Sequence, residues 1–318
     1  MQTYKLPKFI LSYAGALLSA PWRFTLVYLS LITGISHDVF TRGLRKQYHW
    51  KELLINLVDK KLLDSGYLIF DETDIDKSFA GIIQGLSWLF SHRKNKFILG
   101  YHLVVVVWTN NIITIPLAWK LYQKDSGKTK IDLALELMKY CLFVLNIHPK
   151  AWLFDSFYSA EDILKFLNEH NQKFYSQLPK NRLLDFQHLK DINNGRPYWT
   201  KTGLIKGKIK VQVVKNRRKY YVTNDLDVAR KEQLAIYKIR WKIEEVFRFV
   251  KQSLGFERCQ SRSLIAQHNH FGACFWLYGI LQDTTEKTQL TDYQIKLNAT
   301  FDHDYVKTLN LSSYFKGA

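Results

Sequence analysis

The chain is poor in cysteine, in acidic residues and in long apolar runs. Its three cysteines, Cys141, Cys259 and Cys274, are odd in number and widely spaced. That excludes a disulfide framework or a zinc knuckle and reads as buried, reduced thiols. The ten histidines are scattered. His268 and His270 flank Asn269 on a helix with an apolar back, a pattern for packing rather than for metal. No apolar stretch reaches bilayer length. Residues 9–20 are followed at once by Pro21 and Arg23, and residues 103–107 are parted from 112–117 by Trp108-Thr109-Asn110-Asn111, which predicts two buried strands joined by a turn. No secretory leader pattern, internal repeat or low-complexity tract stands out.

The shortage of acid is the most informative of these. Against 28 Asp and Glu stand 46 Lys and Arg, a net charge of +18 and a pI near 9.6. A field of that sign suits a polyanion, nucleic acid first and an anionic membrane second. With 318 residues, 47% of them apolar, the chain can bury a sizeable core and is not disordered.

Residues 1–65 read as short helices. The stretch 25–35 is apolar and stops at Gly34, and Ser36 and Asp38 offer capping chemistry to 39–47. Arg42, Arg45, Lys46 and Lys51 leave two readings open, a DNA reader or a packing bundle. From residue 66 the pattern changes. A short strand, 67–70, runs into Asp71-Glu72-Thr73-Asp74, and the basic segment His92-Arg93-Lys94-Asn95-Lys96 precedes paired strands at 98–107 and 112–119. Residues 125–180 alternate helix and strand around a mixed sheet. Residues 181–226 form a small basic β unit with the turn Asn216-Arg217-Arg218-Lys219. The spacing then predicts one long helix from Asp227 to about Leu254, stopped by Gly255, and another over 265–281. The tail, 284–318, is polar and reads as loose.

Three carboxylates carry chemistry. Asp71 and Asp155 each follow a short apolar strand, 68–70 and 153–154, and sites in α/β sheets lie beyond such strand ends. On the predicted helix, Tyr237, Arg240, Glu244 and Lys251 share one stripe about 60° wide, beside the apolar face of Ile236, Ile239, Ile243, Val246, Val250 and Leu254. Three hard oxygen donors without His or Cys nearby favour Mg²⁺ or Mn²⁺. Two such ions about 4 Å apart suit in-line displacement at phosphorus, and a chain of this charge suits DNA or RNA as substrate.

These residues carry a resemblance. Tyr237, Arg240, Glu244 and Lys251 match a Tyr-(2)-Arg-(3)-Glu-(6)-Lys signature, set in Arg240-Trp241-Lys242-Ile243-Glu244-Glu245-Val246-Phe247 and Lys251-Gln252-Ser253-Leu254-Gly255. Leu68-Ile69-Phe70-Asp71-Glu72-Thr73 and Trp152-Leu153-Phe154-Asp155-Ser156-Phe157-Tyr158 resemble the two preceding motifs. Together, over roughly 65–280, they resemble the prokaryotic insertion-sequence transposases with a DDE triad on an RNase H-like core. The resemblance implies an α/β fold: an RNase H-like mixed sheet flanked by helices, with a small β-rich insertion and a helical N-terminal region. It divides the chain into a helical region (1–65), the first part of the core (66–180), the insertion (181–226), the catalytic-Glu helix and its successor (227–283) and the tail (284–318).

By the same resemblance Asp71, Asp155 and Glu244 are catalytic and bind two Mg²⁺ or Mn²⁺ ions, with Asp74 the alternative to Asp71.

 The implied reaction cuts the DNA at the element ends with water, then joins the freed 3′-hydroxyl to target DNA. Tyr237, Arg240, Lys251 and Arg248 are implied phosphate contacts, and ion pairs to nearby acids are the alternative use of these cations. Between 196 and 262 there are 18 Lys and Arg against 6 Asp and Glu, so a DNA track is expected there, with Arg217, Arg218 and Lys219 on its turn. The implied partners are double-stranded DNA and a second copy of the chain, in a prokaryotic cytoplasm near the nucleoid, with no membrane and no small-molecule cofactor. Competing readings are an RNase H-like nuclease without strand transfer and a silent, domesticated DNA-binding protein. A peripheral membrane protein fits poorly, because a carboxylate interrupts the basic stripe.

Overall fold

The computed structural model describes residues 8–91, 93–206 and 208–315. Residues 1–7, His92, Gly207 and 316–318, parts of the helical start, the basic segment, the β insertion and the tail, lie outside the described residues. Four helices open the chain: α1 (Lys8–Ser19), α2 (Leu26–Thr33), α3 (His37–Leu44) and α4 (Trp50–Ile55). There follow β1 (Tyr67–Asp76), β2 (Ser87–Ser91), β3 (Lys96–Thr109), β4 (Thr114–Tyr122), α5 (Lys130–Lys139), β5 (Ala151–Leu153), α6 (Glu161–Glu169) and β6 (Phe174–Leu178). A short hairpin, β7 (Leu183–Leu184) and β8 (Gln187–His188), leads to β9 (Tyr198–Ile205), β10 (Ile209–Asn216) and β11 (Lys219–Thr223). The chain closes with α7 (Arg230–Lys238), α8 (Trp241–Ser253), α9 (Leu264–Thr288), α10 (Asp292–Phe301) and α11 (His303–Thr308).

One mixed sheet organises the molecule. Its path is β2-β3-β1-β5-β6-β11-β10-β9, and β4 also pairs with β3. The strands β1, β5 and β6 are parallel, and β3 runs antiparallel to β1. Residues 101–108 of β3 are all buried, as expected of a strand covered on both faces. Alternation then splits the core in two. Ile69, Val105, Val107 and Leu153 face the layer of α8 and α9. Leu68, Phe70, Val104, Val106 and Phe154 face α5 and α6. The mixed α/β class expected from the sequence is the one observed.

The insertion strands do not stand as a separate hairpin. The strand β11 pairs antiparallel with β6, Tyr220 opposite Leu178, so β9–β11 lengthen the main sheet. The opening helices likewise pack on the core. Trp50 Nε1 donates to Asn269 Oδ1 at 2.8 Å, and Asn269 Nδ2 donates to the carbonyls of Leu44 and Lys46 at 2.7 Å each. Tyr13 Oη lies 2.8 Å from His270 Nδ1. These bonds give His270 and Asn269 structural work. Cys141, Cys259 and Cys274 are free and buried, as expected.

Three expectations need correction. The helix predicted over 227–254 is two helices, α7 and α8. At their junction the N–H groups of Ile239, Arg240, Lys242 and Ile243 each bond the carbonyl three residues back, at 2.9–3.2 Å, a locally tightened turn. The wheel that aligned Tyr237 with Lys251 is therefore not continuous. The tail is not loose either. The helix α9 runs on to Thr288, and a capping box of Thr291 and Gln294 starts α10, which buries Ile295 and Ala299. Finally, β1 does not stop before Asp71 but continues to Asp76.

Gly255 does end the helix of Glu244, with φ +66°, and Phe256 N–H reaches back to the carbonyl of Val250 at 3.1 Å. A Cβ at Gly255 would meet the ring of Phe24 at 2.2 Å. Gly255→Ala is therefore expected to cost about 2–4 kcal/mol, from the left-handed backbone and the forced ring movement together. A lowered urea midpoint with an unchanged slope checks it.

Candidate active site

Two parallel strands bring Asp71 and Asp155 together. Leu68 pairs with Trp152 and Ile69 with Leu153. The rings of Phe70 and Phe154 stack with centroids 4.8 Å apart, which carries the register on to Asp71 and Asp155. On its other edge Asp71 lies opposite Val105 of β3. Asp71 is thus mid-strand on one side and past the end of pairing on the other. Asp71 Oδ1 accepts from Glu72 N–H at 2.8 Å. Asp155 Oδ1 accepts from the N–H groups of Phe157 at 2.9 Å and Tyr158 at 3.3 Å, so it also starts the turn into α6.

The helix α8 supplies Glu244 in its first turn, with Arg240 at the residue before the helix. Arg240 Nη1 donates to Asp71 Oδ2 at 2.6 Å and Nη2 to Glu244 Oε1 at 3.2 Å. The side chains of Asp71 and Arg240 are 13% exposed and that of Glu244 is 38%. Burial, with help from Asp155 and Glu244, pushes the Asp71 carboxyl up to about 7 against the pull of Arg240. Asp155 is raised as well, chiefly by burial. Burial works against the charge on Arg240, but Asp71, Tyr237 and Glu244 outweigh it. Its Nε is buried with no partner among the described residues.

Asp74 is not placed like Asp71. An odd separation on one strand sends it to the opposite face, where Ser91 Oγ donates to it at 2.5 Å and His102 Nδ1 lies 2.6 Å away. Glu72 shares that face and meets Lys130 Nζ at 2.6 Å and Tyr158 Oη at 3.1 Å.

The other predicted residues are placed in three ways. Tyr237 is buried, edge-on to Tyr221 at 5.1 Å between centroids. Lys251 is half-buried beside Glu257, 3.3 Å away, and donates to the carbonyl of Asp74. Arg248, Arg217, Arg218 and Lys219 are exposed. Two grooves meet at Trp241. The larger, about 860 Å³, is lined by Asp155, Asn216, Lys219, Tyr221, Tyr237 and Arg240, among others. The second, about 450 Å³, holds Asp74, Arg93, Glu244, Arg248 and Lys251. Arg93 in this groove was not expected from the sequence. The basic run 92–96 is visible there, but not that Arg93 comes to line a groove with Arg248 and Lys251.

Among the described residues, no three His, Cys, Asp or Glu side chains are grouped closely enough to form a ready ligand set. Arg240 stands between Asp71 and Glu244 instead. The donor chemistry still fits a hard cation. The carboxylates of Asp71 and Asp155 are raised chiefly by burial, against the pull of Arg240, and a divalent ion beside them would favour their charged forms.

Removing the guanidinium in the metal-free protein tests this balance. Arg240→Ala is expected to cost about 2–4 kcal/mol, less than a fully trapped charge because Asp71 can take up a proton. The loss moves the folded-state value of Asp71 further up. A raised carboxyl loses stability as pH rises through its folded value, so the gap to wild type should widen above pH 7. Urea melts in EDTA at several pH values measure it.

The mixed sheet thus carries acids on two parallel strands, and the helix α8 adds a third. Residues 64–280 match the family described as the transposase DDE domain. The chain belongs to that family, and with it to the transposases. Members of the family use divalent metal ions. The fold is similar to that of the piggyBac transposase, solved by cryo-EM as a synaptic complex with hairpin DNA. The two share 10% identity and a TM-score of 0.56, over 97% of this chain and 72% of that one. No curated protein matches the chain. Among the described residues no helix is long and apolar enough to cross a membrane.

Proposed function

We propose that the chain is an insertion-sequence transposase that binds double-stranded DNA, cuts it at the element ends and joins the 3′ ends to target DNA. Asp71, Asp155 and Glu244 are the proposed ligands of two Mg²⁺ or Mn²⁺ ions, and a second copy of the chain is the proposed partner in the DNA complex. The observation that carries the reading is the convergence of Asp71 and Asp155 across β1 and β5, with Glu244 tied to Asp71 through Arg240. In cleavage, a water oxygen bonds to phosphorus and the 3′-oxygen leaves; in joining, that 3′-hydroxyl attacks a target phosphate and displaces another 3′-oxygen. Asp71, Asp155 and Glu244 would hold the divalent ions, which would supply activation of the attacking oxygen and stabilisation of the leaving one.

The chain's own cations hold the substrate in this reading. Arg240 has an unpartnered buried Nε and can give a phosphate what Asp71 and Glu244 do not use. Lys219, in the larger groove with Asp155, and exposed Arg217 and Arg218 suit the DNA backbone on one side. Arg248 and Lys251 suit it on the other, and Tyr237 orients Arg240. Asp71 is favoured over Asp74 as ligand because it shares Arg240 with Glu244, whereas the Asp74 carboxylate is already bonded by Ser91.

Incubating the purified chain with the element's own terminal duplex and a supercoiled target plasmid, in Mg²⁺, tests the proposal. Joined products support a transposase. Cutting at the ends without joining supports a nuclease on the same fold, and binding with neither supports a silent descendant.

A further inference from the structure

Beyond Asp76 the sheet changes character. Gly100 is opposite both Asp76 of β1 and Ser87 of β2, and residues 96–99 of β3 pair with β2 alone. The strands β2 and β3 therefore run on as a two-stranded ribbon. One face of it is packed: Leu89 and Ile98 are buried, and Ser91 bonds Asp74. The other face carries aromatic rings into solvent. Trp88 is 65% exposed and Phe97 67%. Trp88 lies opposite Leu99, and Phe90 opposite Phe97, with the two phenyl rings 5.3 Å apart.

That aromatic face is on the side of the carboxylates. Along β3, Val105 is opposite Asp71 and Tyr101 opposite Ile75, so odd positions share the face of Asp71. Phe97 is one of them, and register brings Phe90 and Trp88 with it. The tip of the ribbon is basic. Lys94 is held by Asp76 at 2.5 Å, but Arg93 is 61% exposed, 3.9 Å from Glu257, and lines the groove that holds Glu244. A cation thus stands between the groove and the rings.

We propose that the β2–β3 ribbon binds an unpaired DNA strand leaving the carboxylate groove, with bases stacked on Trp88 and Phe97 and a phosphate held by Arg93. The inference rests on the transposase reading in taking DNA as ligand. Rings with an adjacent cation are the chemistry of single-strand binding, since every base offers a π-face and every link a phosphate. A second copy of the chain is a poorer occupant. Part-exposed rings of about 150–250 Å² each fall short of the roughly 800 Å² per partner that a stable interface covers.

Fluorescence anisotropy of the full chain with a blunt DNA duplex, and with the same duplex bearing a single-stranded oligothymidine extension, tests this. Wild type should prefer the extended duplex. The double variant Trp88→Ala, Phe97→Ala should weaken that binding at least about tenfold and blunt-duplex binding less than about twofold. Arg93→Gln should reduce the salt slope on the extended duplex by about one. Exposed positions leave folding intact, checked by unchanged melting. The proposal is overturned if wild type does not distinguish the probes or if the double variant weakens both alike. It is overturned equally if, without DNA, the variant turns a sedimenting dimer into a monomer, which would assign the face to a second copy. If wild type binds neither probe, the DNA reading itself fails and takes this one with it.

Discussion

Glu244→Gln is expected to lower cleavage of terminal DNA by at least about a thousandfold while leaving DNA affinity within about threefold. The size follows from what a carboxylate ligand supplies. Losing about 4 kcal/mol of stabilisation in the transition state is a factor of about a thousand. The fold should hardly notice. Glu244 is 38% exposed, its bond to Arg240 is 3.2 Å, and Arg240 keeps its shorter bond to Asp71. A half-exposed pair of this kind is worth less than about 1 kcal/mol. Glu245, one residue on and paired with Lys242 at 3.1 Å, is the control, and Glu245→Gln should cleave like wild type. Single-turnover cleavage with a parallel binding measurement separates the two residues.

Lys296→Met is expected to cost about 2–4 kcal/mol. Lys296 Nζ donates to the carbonyls of Leu17, Leu18 and Ala20 at 3.0, 2.6 and 2.5 Å, where α1 ends and its carbonyls have no helical partner. Three bonds from a charged donor are worth about 1.5–3 kcal/mol each. Burying the ammonium costs several kcal/mol, so the bonds win, but not by their sum. Burial lowers the group from 10.5 to about 7. The unfolded chain then binds more protons between about pH 7 and 10.5, and this group's contribution to stability rises across that window. Below pH 7 both states are protonated and the contribution is flat. The variant should lose both the stability and the rise, as read from urea midpoints at pH 7 and 9.

What could be read from the sequence and what could not divide along one physical line. The motifs around Asp71, Asp155 and Glu244 stand out in the sequence because their signals are local: Phe70 and Phe154 each precede an acid, and Gly255 stops a helix. The length of β1 was not. Glu72, Asp74 and Asp76 look like a polar loop, yet each is paired inside a strand by a residue far away, Lys130, His102 or Lys94. The break between α7 and α8 was hidden for a similar reason. Its tight turn aims Arg240 at Asp71, a partner 169 residues away, and no helical period announces that. The tail looked loose because its burial depends on Ile295 and Ala299 meeting the opening helices, and on a lysine acting as a cap. Arg93 was seen as charge and not as part of a groove, since only the ribbon's path brings it beside Glu257.

Asp71, Asp155 and Glu244 are proposed to act together as a divalent-ion site. Counting Mn²⁺ by electron paramagnetic resonance on the DNA-bound chain tests it most directly, comparing wild type with Asp155→Asn. Wild type is expected to hold two ions, with binding lost or weakened at least about tenfold in the variant. Equal Mn²⁺ binding by both proteins would contradict it and remove Asp155 from the site.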